Sequence, residues 1–400
     1  MFTDIAALAL GGQHSVILRQ DGSVWSTGIV LRGGGGSVPG ASKYFVPAIS
    51  GGVKGIAAGY FHSLAVKIDG SVWAIGRNSR GQLGDGTLVA KGAFFFVQKF
   101  LDATAVAAGG YHSILMTQDG RICVAGANEN GQLGDGLTSH AARFRQTTFT
   151  GVKAMGAGHM HSTVLKEDES VWAAGLNDHG QLGDGSKIDR TVFVKVISNG
   201  AVGVAAGGYH SLVLNRDGGV LATGWNEYGQ LGDQTKTDST NYVQVVSSGA
   251  KAISAGHRHS MMLKSDGTVW ATGYNHYGQL GDGSLSDTDT FVEVIGAAAS
   301  TIAAGAFHSM VVKEDGSVWA TGSSKFGQFG DGKTRFRRRF FKIKPFVNGM
   351  GHDMIVYTCM YSHIILCSVS NFARDVPLLP RTPAFFDSWA MLPFTGTIHS

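Results

Sequence analysis

The sequence predicts an all-β fold, a β-propeller assembled from seven repeated units with four short strands in each. Three observations carry this prediction. A passage of about 49 residues is written seven times, with only a few slots changing between copies. Asp-Gly, a strong hairpin signal, separates two short apolar runs in every copy but the fourth, which has Asp168-Glu169. A further apolar run about 32 residues after a fixed histidine, as in Phe193–Val196 and Phe291–Val294, completes four strands per unit.

Aligned on a His-Ser pair, the copies place His14, His62, His112, His161, His210, His259 and His308 at intervals of 48 to 50 residues. Glycine stands three residues before each histidine, from Gly11 to Gly305. The run that follows, such as His62 to Ile68, reads as a strand and ends at the Asp-Gly turn. A type I′ turn is expected there, with positive φ at both central residues. The next run carries a tryptophan slot filled by Trp25, Trp73, Trp172, Trp270 and Trp319, with Cys123 and Leu221 as substitutes. It ends at a glycine, from Gly28 to Gly322, and copies two to seven close on Gly-Gln-Leu/Phe-Gly-Asp. One unit alone buries little, so stacking in a ring must supply the core and protect the strand edges. Copy one has Gly33-Gly34-Gly35-Gly36-Ser37 in place of the closing loop, and copy seven puts Phe340–Ile343 in the fourth-strand slot. The repeats therefore define a domain over residues 1–349. Register fails over 350–400, where Pro377, Pro380, Pro383 and Pro393 cluster. A disordered tail, a cap, a degenerate extra repeat and a gene-model artefact are the alternatives for that segment.

Composition narrows the function classes. Gly is 59 of 400 residues but Pro only 7, unlike a proline-rich disordered chain. Cys123, Cys359 and Cys367 are too scattered for a disulfide framework or a zinc site, so a reducing compartment is expected, cytoplasmic or nuclear. The start, Met-Phe-Thr-Asp-Ile-Ala-Ala, lacks a basic leader, and no run reaches 18 apolar residues, so neither a signal peptide nor a membrane span is expected. The net charge of +4 is local: residues 333–344 hold seven Lys or Arg and no acid, whereas residues 1–332 hold 24 basic and 26 acidic residues. Overall charge is thus no argument for nucleic acid.

The pattern Gly-x-x-His-Ser, followed by Asp-Gly-x-Val-Trp-x-x-Gly-x-Asn-x-x-Gly-Gln-Leu-Gly-Asp, resembles the repeats of the regulator of chromosome condensation (RCC1) superfamily. It covers about 345 of the 400 residues. The resemblance implies a seven-bladed β-propeller, closed by terminal segments that share a blade. It also implies a spread of functions, because one fold serves many activities. Members include a guanine nucleotide exchange factor for the small GTPase Ran, trafficking adaptors, plant ultraviolet photoreceptors and bacterial inhibitor proteins. The exchange factor uses a hairpin wedge inserted into a blade, and the even spacing here leaves no room for one. The photoreceptor's Gly-Trp-Arg-His-Thr motif is absent; only Trp225 and Trp389 lie outside the blade slot.

Seven histidines distributed one per blade cannot converge on one ion, so they read as hydrogen-bonded core residues, and no metal is expected. The closing Asp reads as a loop brace and the tryptophans as packing between blades. The glycine run of copy one lacks the Gly-Lys-Ser/Thr ending of a phosphate loop. No catalytic constellation is present, so neither an enzyme nor a cofactor is expected.

The slots that change are more informative. Along one blade, the residues before the histidine and the loop after the third strand share one face, and the Asp-Gly turns share the other. The first face is expected to bind a protein partner through Trp225, Glu227, Tyr228, Tyr274, His276, Tyr277, His257 and Arg258, with His159, Asp178, His179, Arg77 and Arg80. A second candidate is a basic patch of Arg335, Arg337, Arg338, Arg339, Lys342 and Lys344, whose arginines are read as a solvated loop before the fourth strand of copy seven. The expected function is a monomeric, non-enzymatic interaction scaffold. The alternatives are nucleotide exchange on a Ran-like GTPase and chromatin or DNA association through the basic run.

Overall fold

The structure, a computed structural model, describes residues 4–29, 42–100 and 102–344. Expectations for the glycine run of copy one and for residues 350–400 lie outside the described residues. All regular structure among those described is β: twenty-eight strands form seven four-stranded antiparallel sheets. The seven-bladed β-propeller expected from the repeats is the fold observed.

Blade six shows how the repeat folds. Its strands are Ala250–Ala255, His259–Lys264, Val269–Gly273 and Thr288–Ile295, paired in that order. The second strand is buried along nearly its whole length because both its faces meet neighbouring blades, which explains its unbroken apolar run. Trp270 lies half-buried against Leu214 and Val220 of blade five, its Nε1 donating to Thr268 Oγ1 at 2.9 Å. The tryptophan slot is therefore packing between blades, as expected. Asp282 also braces its loop: its Oδ1 accepts from Ser284 N at 2.9 Å and from Asn275 Nδ2 at 3.0 Å.

The Asp-Gly turn differs from the expectation. Gly267 takes φ +81°, but no aspartate of these turns has positive φ. Gly267 N donates to Lys264 O and Lys264 N to Thr268 O, so the loop is a type I turn followed by a left-handed glycine, not type I′. The aspartate is selected instead by a local bond, Asp266 Oδ1 accepting from Thr268 N at 2.9 Å, which ordinary φ allows. In copy four Glu169 occupies the left-handed position at φ +64°.

The first strands of adjacent blades lie side by side around the axis, including those of blades seven and one. Each sheet uses four consecutive strands, Ile5–Leu10 opening blade one and Phe336–Lys342 closing blade seven. The expected closure through a shared blade is thus corrected. Blades seven and one are joined by the bonds found at the other interfaces: His308 to Ser15 Oγ at 2.9 Å, Thr27 Oγ1 to Gly327 O at 2.8 Å, and Ala306 N to Gly11 O at 3.2 Å. An interface that repeats its neighbours' contacts needs no exchanged strand.

The repeated histidines form a closed circuit. Each Nε2 meets the Ser Oγ of the next blade at 2.6–2.9 Å, seven times around, with His308 returning to Ser15. In six blades the serine donates its one hydrogen to a glutamine carbonyl at 2.6–2.8 Å, as Ser162 does to Gln132 O. Such a serine can only accept from the histidine, which makes the ring a neutral Nε2–H tautomer. The Nδ1 edge lies against the glycine three residues earlier, buried and without a partner. A Cβ on Gly158, for example, would overlap the His161 ring and the Gly207 carbonyl. Burial therefore pushes these histidines down from 6.5, to about 4 for His14 and about 3 for the other six.

The sign of the pH dependence follows. The unfolded chain binds protons at these sites below pH 6.5 and the folded chain does not, so stability is full above 6.5 and falls as pH falls toward 4. Each histidine removes about 1.4 kcal/mol per pH unit in that window. Urea midpoints measured from pH 7.5 to 4.5 should fall steeply below 6.5; a flat profile would contradict the neutral circuit. Ser162→Ala, which strands both His112 Nε2–H and Gln132 O, should cost on the order of 2–4 kcal/mol in equilibrium unfolding, and a loss well below 1 kcal/mol would contradict it.

Candidate functional site

Two segments of each blade reach the same end of the propeller: the turn before the histidine and the loop after the third strand. The turn residue two places before the histidine sits nearest the axis. Around the ring this slot reads Gly12, Tyr60, Gly110, His159, Gly208, His257 and Ala306, alternating small and large. The alternation is steric, since a Cβ on Gly12, Gly110 or Gly208 would strike Tyr60, His159 or His257 respectively. The three rings converge in near-perpendicular pairs with centroids 5.5–5.6 Å apart. They stand at the mouth of an axial cavity of about 160 Å³ lined mostly by Ala and Gly.

From this centre a continuous aromatic surface spreads outward. Tyr209 lies 5.6 Å from His159 and 5.7 Å from Trp225; Trp225 meets Tyr228 at 5.3 Å, and Tyr228 meets Tyr274 at 4.8 Å. Tyr277 continues the chain to Phe307 at 5.4 Å. Edge-to-face contacts of this kind hold the rings in fixed positions. The Arg258 guanidinium lies 5.1, 5.2 and 5.7 Å from the Trp225, Tyr228 and Tyr274 rings, and Arg77 lies 5.3 and 5.5 Å from those of Phe61 and Tyr111.

Burial sets the charge state of the centre. His257 is pushed down to about 3, first by burial and then by His159 and Arg258; His159 is also lowered by burial. Burial raises the Tyr60, Tyr209 and Tyr274 hydroxyls. At neutral pH the mouth is an uncharged aromatic floor beside a fixed guanidinium. No group of three or more His, Cys, Asp or Glu among the described residues could hold a metal ion.

Most residues expected on this face are brought together. His159, His257, Arg258, Trp225, Tyr228, Tyr274 and Tyr277 belong to the network, and His179 joins it 5.4 Å from Trp225 while pairing with Asp238 at 2.7 Å. His276 lies 4.6 Å from Tyr274 and 3.6 Å from Asp287. Asp178 and Glu227 are exposed, Asp178 accepting from Gln181 Nε2 at 3.1 Å. Arg80 is exposed and contacts His140 Nε2 at 2.9 Å.

The basic run lies elsewhere and is corrected. Arg337, Arg338 and Arg339 belong to the fourth strand of blade seven, Phe336–Lys342, rather than to a loop before it. Fourth strands begin earlier than their apolar runs suggest, because the edge strand tolerates exposed residues on both faces. Arg335 pairs with Asp331 at 2.6 Å and Lys342 with Asp315 at 3.6 Å; Lys344 is exposed. Reading the sequence missed Tyr60, Phe61, Tyr111, Tyr209 and Phe307. Their signal was the aromatic habit of the two slots before the histidine, readable only across copies.

Comparison with known proteins fits this geometry. The profile of the RCC1-like domain matches residues 1–290, and that of the RCC1 repeat matches residues 299–328. No curated protein matches the chain. Among solved structures, human WBSCR16 is similar with a TM-score of 0.70 and 22% identity, over 80% of this chain and 93% of that one. Prp20p from Saccharomyces cerevisiae gives 0.69 and 18%, over 87% and 91%. Yeast RCC1 (Prp20) bound to Kap60 gives 0.69 and 17%, over 86% of each chain. At these identities the likeness is one of fold. The repeats, the seven blades and the match over residues 1–290 together place this protein in the RCC1-like domain family.

Proposed function

We propose that the chain is a non-enzymatic interaction scaffold that binds a protein partner on its aromatic face. The observation that carries this reading is the continuous network of Tyr, Trp, His and Phe side chains from blades two to seven on one end of the propeller, fixed against one another beside the axial mouth. Pre-positioned aromatic and arginine side chains are the usual anchors of protein interfaces, because little conformational entropy is lost when a partner covers them. The residues that build the blades are separate from those that vary on this face, so the surface can be tuned without disturbing the frame. One protein of like fold has protein partners: yeast RCC1 (Prp20) is found bound to Kap60 in one structure, and another describes its binding properties toward Gsp1p and histones.

Affinity capture with the full chain as bait tests the reading. Trp225→Ala combined with Tyr277→Ala should weaken capture of the partner at least tenfold with a thermal midpoint within a few degrees of the parent. Ser265→Arg, an exposed change on the Asp-Gly face, should leave capture intact. Capture indifferent to the aromatic double variant, or abolished by Ser265→Arg, would assign binding to another surface. Accelerated nucleotide release from a small GTPase by purified chain would replace the scaffold reading with exchange.

A further inference from the structure

The chemistry of the partner can be narrowed, on the premise that the aromatic face is the docking surface. Six of the described arginines elsewhere on the propeller find carboxylates, among them Arg19 with Asp4 at 2.6 Å and Arg145 and Arg190 with Asp135 and Asp184 at 2.7 Å, whereas Arg143 and the edge-strand Arg337, Arg338 and Arg339 do not. Arg77, Arg80 and Arg258, the arginines of the aromatic face, pair with none among the described residues. Arg258 is the most confined of these. Three rings hold its guanidinium, its one hydrogen bond is Nη1 to Tyr228 Oη at a long 3.3 Å, and its Nε is buried without an acceptor. A guanidinium held among aromatic rings is fixed in position, and with Nε turned inward its terminal Nη1 and Nη2 N–H groups are the ones left to meet a carboxylate. His257 and His259, its chain neighbours, are held neutral by burial, which leaves the guanidinium as the cation an incoming anion meets there.

We propose that the aromatic face takes an acidic segment of its partner protein and seats an Asp or Glu carboxylate on Arg258. The exposed carboxylates of Glu227 and Asp178 then oppose any wrong register, because an acidic segment must avoid them to reach Arg258.

A fluorescently labelled oligoglutamate peptide, titrated against the full chain at low and physiological salt, tests this. Saturable binding is expected, weakened about tenfold or more by Arg258→Gln and tightened about twofold by Glu227→Gln. The second variant alters an exposed side chain, so folding does not confound it. Failure of oligoglutamate to bind, preference for oligolysine, or displacement of the peptide by a single-stranded oligonucleotide would overturn the proposal. So would binding that survives Arg258→Gln but is lost when Arg337, Arg338 and Arg339 are changed to Gln, which would move the site to the edge strand. Each of these results leaves capture through Trp225 and Tyr277 standing, so this inference can fail while the docking face survives.

Discussion

The hydrogen bond from a buried neutral histidine to the serine of the next blade is the contact on which the rest of the propeller depends. It occurs at all seven interfaces, and its return from His308 to Ser15 makes the ring complete without an exchanged strand. Its geometry dictates the surrounding residues. The serine must reach a glutamine carbonyl in the preceding blade, and the glycine three residues earlier must leave room for the imidazole edge. Much of the repeat is therefore one connected requirement, written once per blade.

That requirement also separates frame from surface. The histidine points inward, while the two residues before it and the loop after the third strand are left at one end of the blade. Substitution in those slots does not touch the circuit. The aromatic network and Arg258 are the result of filling them in blades two to seven, and their rings support one another rather than the core. A scaffold of this kind can change partner while its stability stays with the repeat.

The fold was legible because each copy repeats the same steric and hydrogen-bonding demands, so seven readings corrected one another. The face was legible in part. Trp225, Tyr274 and Tyr277 stand out in their loops, but Tyr60 and Tyr209 sit in the two slots before the histidine, whose meaning emerges only when blades are arranged in a ring. The alternation of Gly12, Tyr60, Gly110 and His159 is a contact pattern between residues about 49 positions apart. Two expectations failed for local reasons. The aspartate of the Asp-Gly turn is chosen for its side-chain bond, not for positive φ, and the arginines of blade seven are tolerated in an edge strand that hydropathy alone reads as loop. Closure through a shared blade failed because the joint between blades seven and one already has the contacts of any other.

Hydrogen exchange of the full chain with and without its captured partner tests the central claim most directly. Added protection is expected in the turn at 257–258 and in the loops at 225–232 and 274–281, with the Asp-Gly turns and the strand at 336–342 unchanged. Protection confined to those turns or to that strand would contradict it.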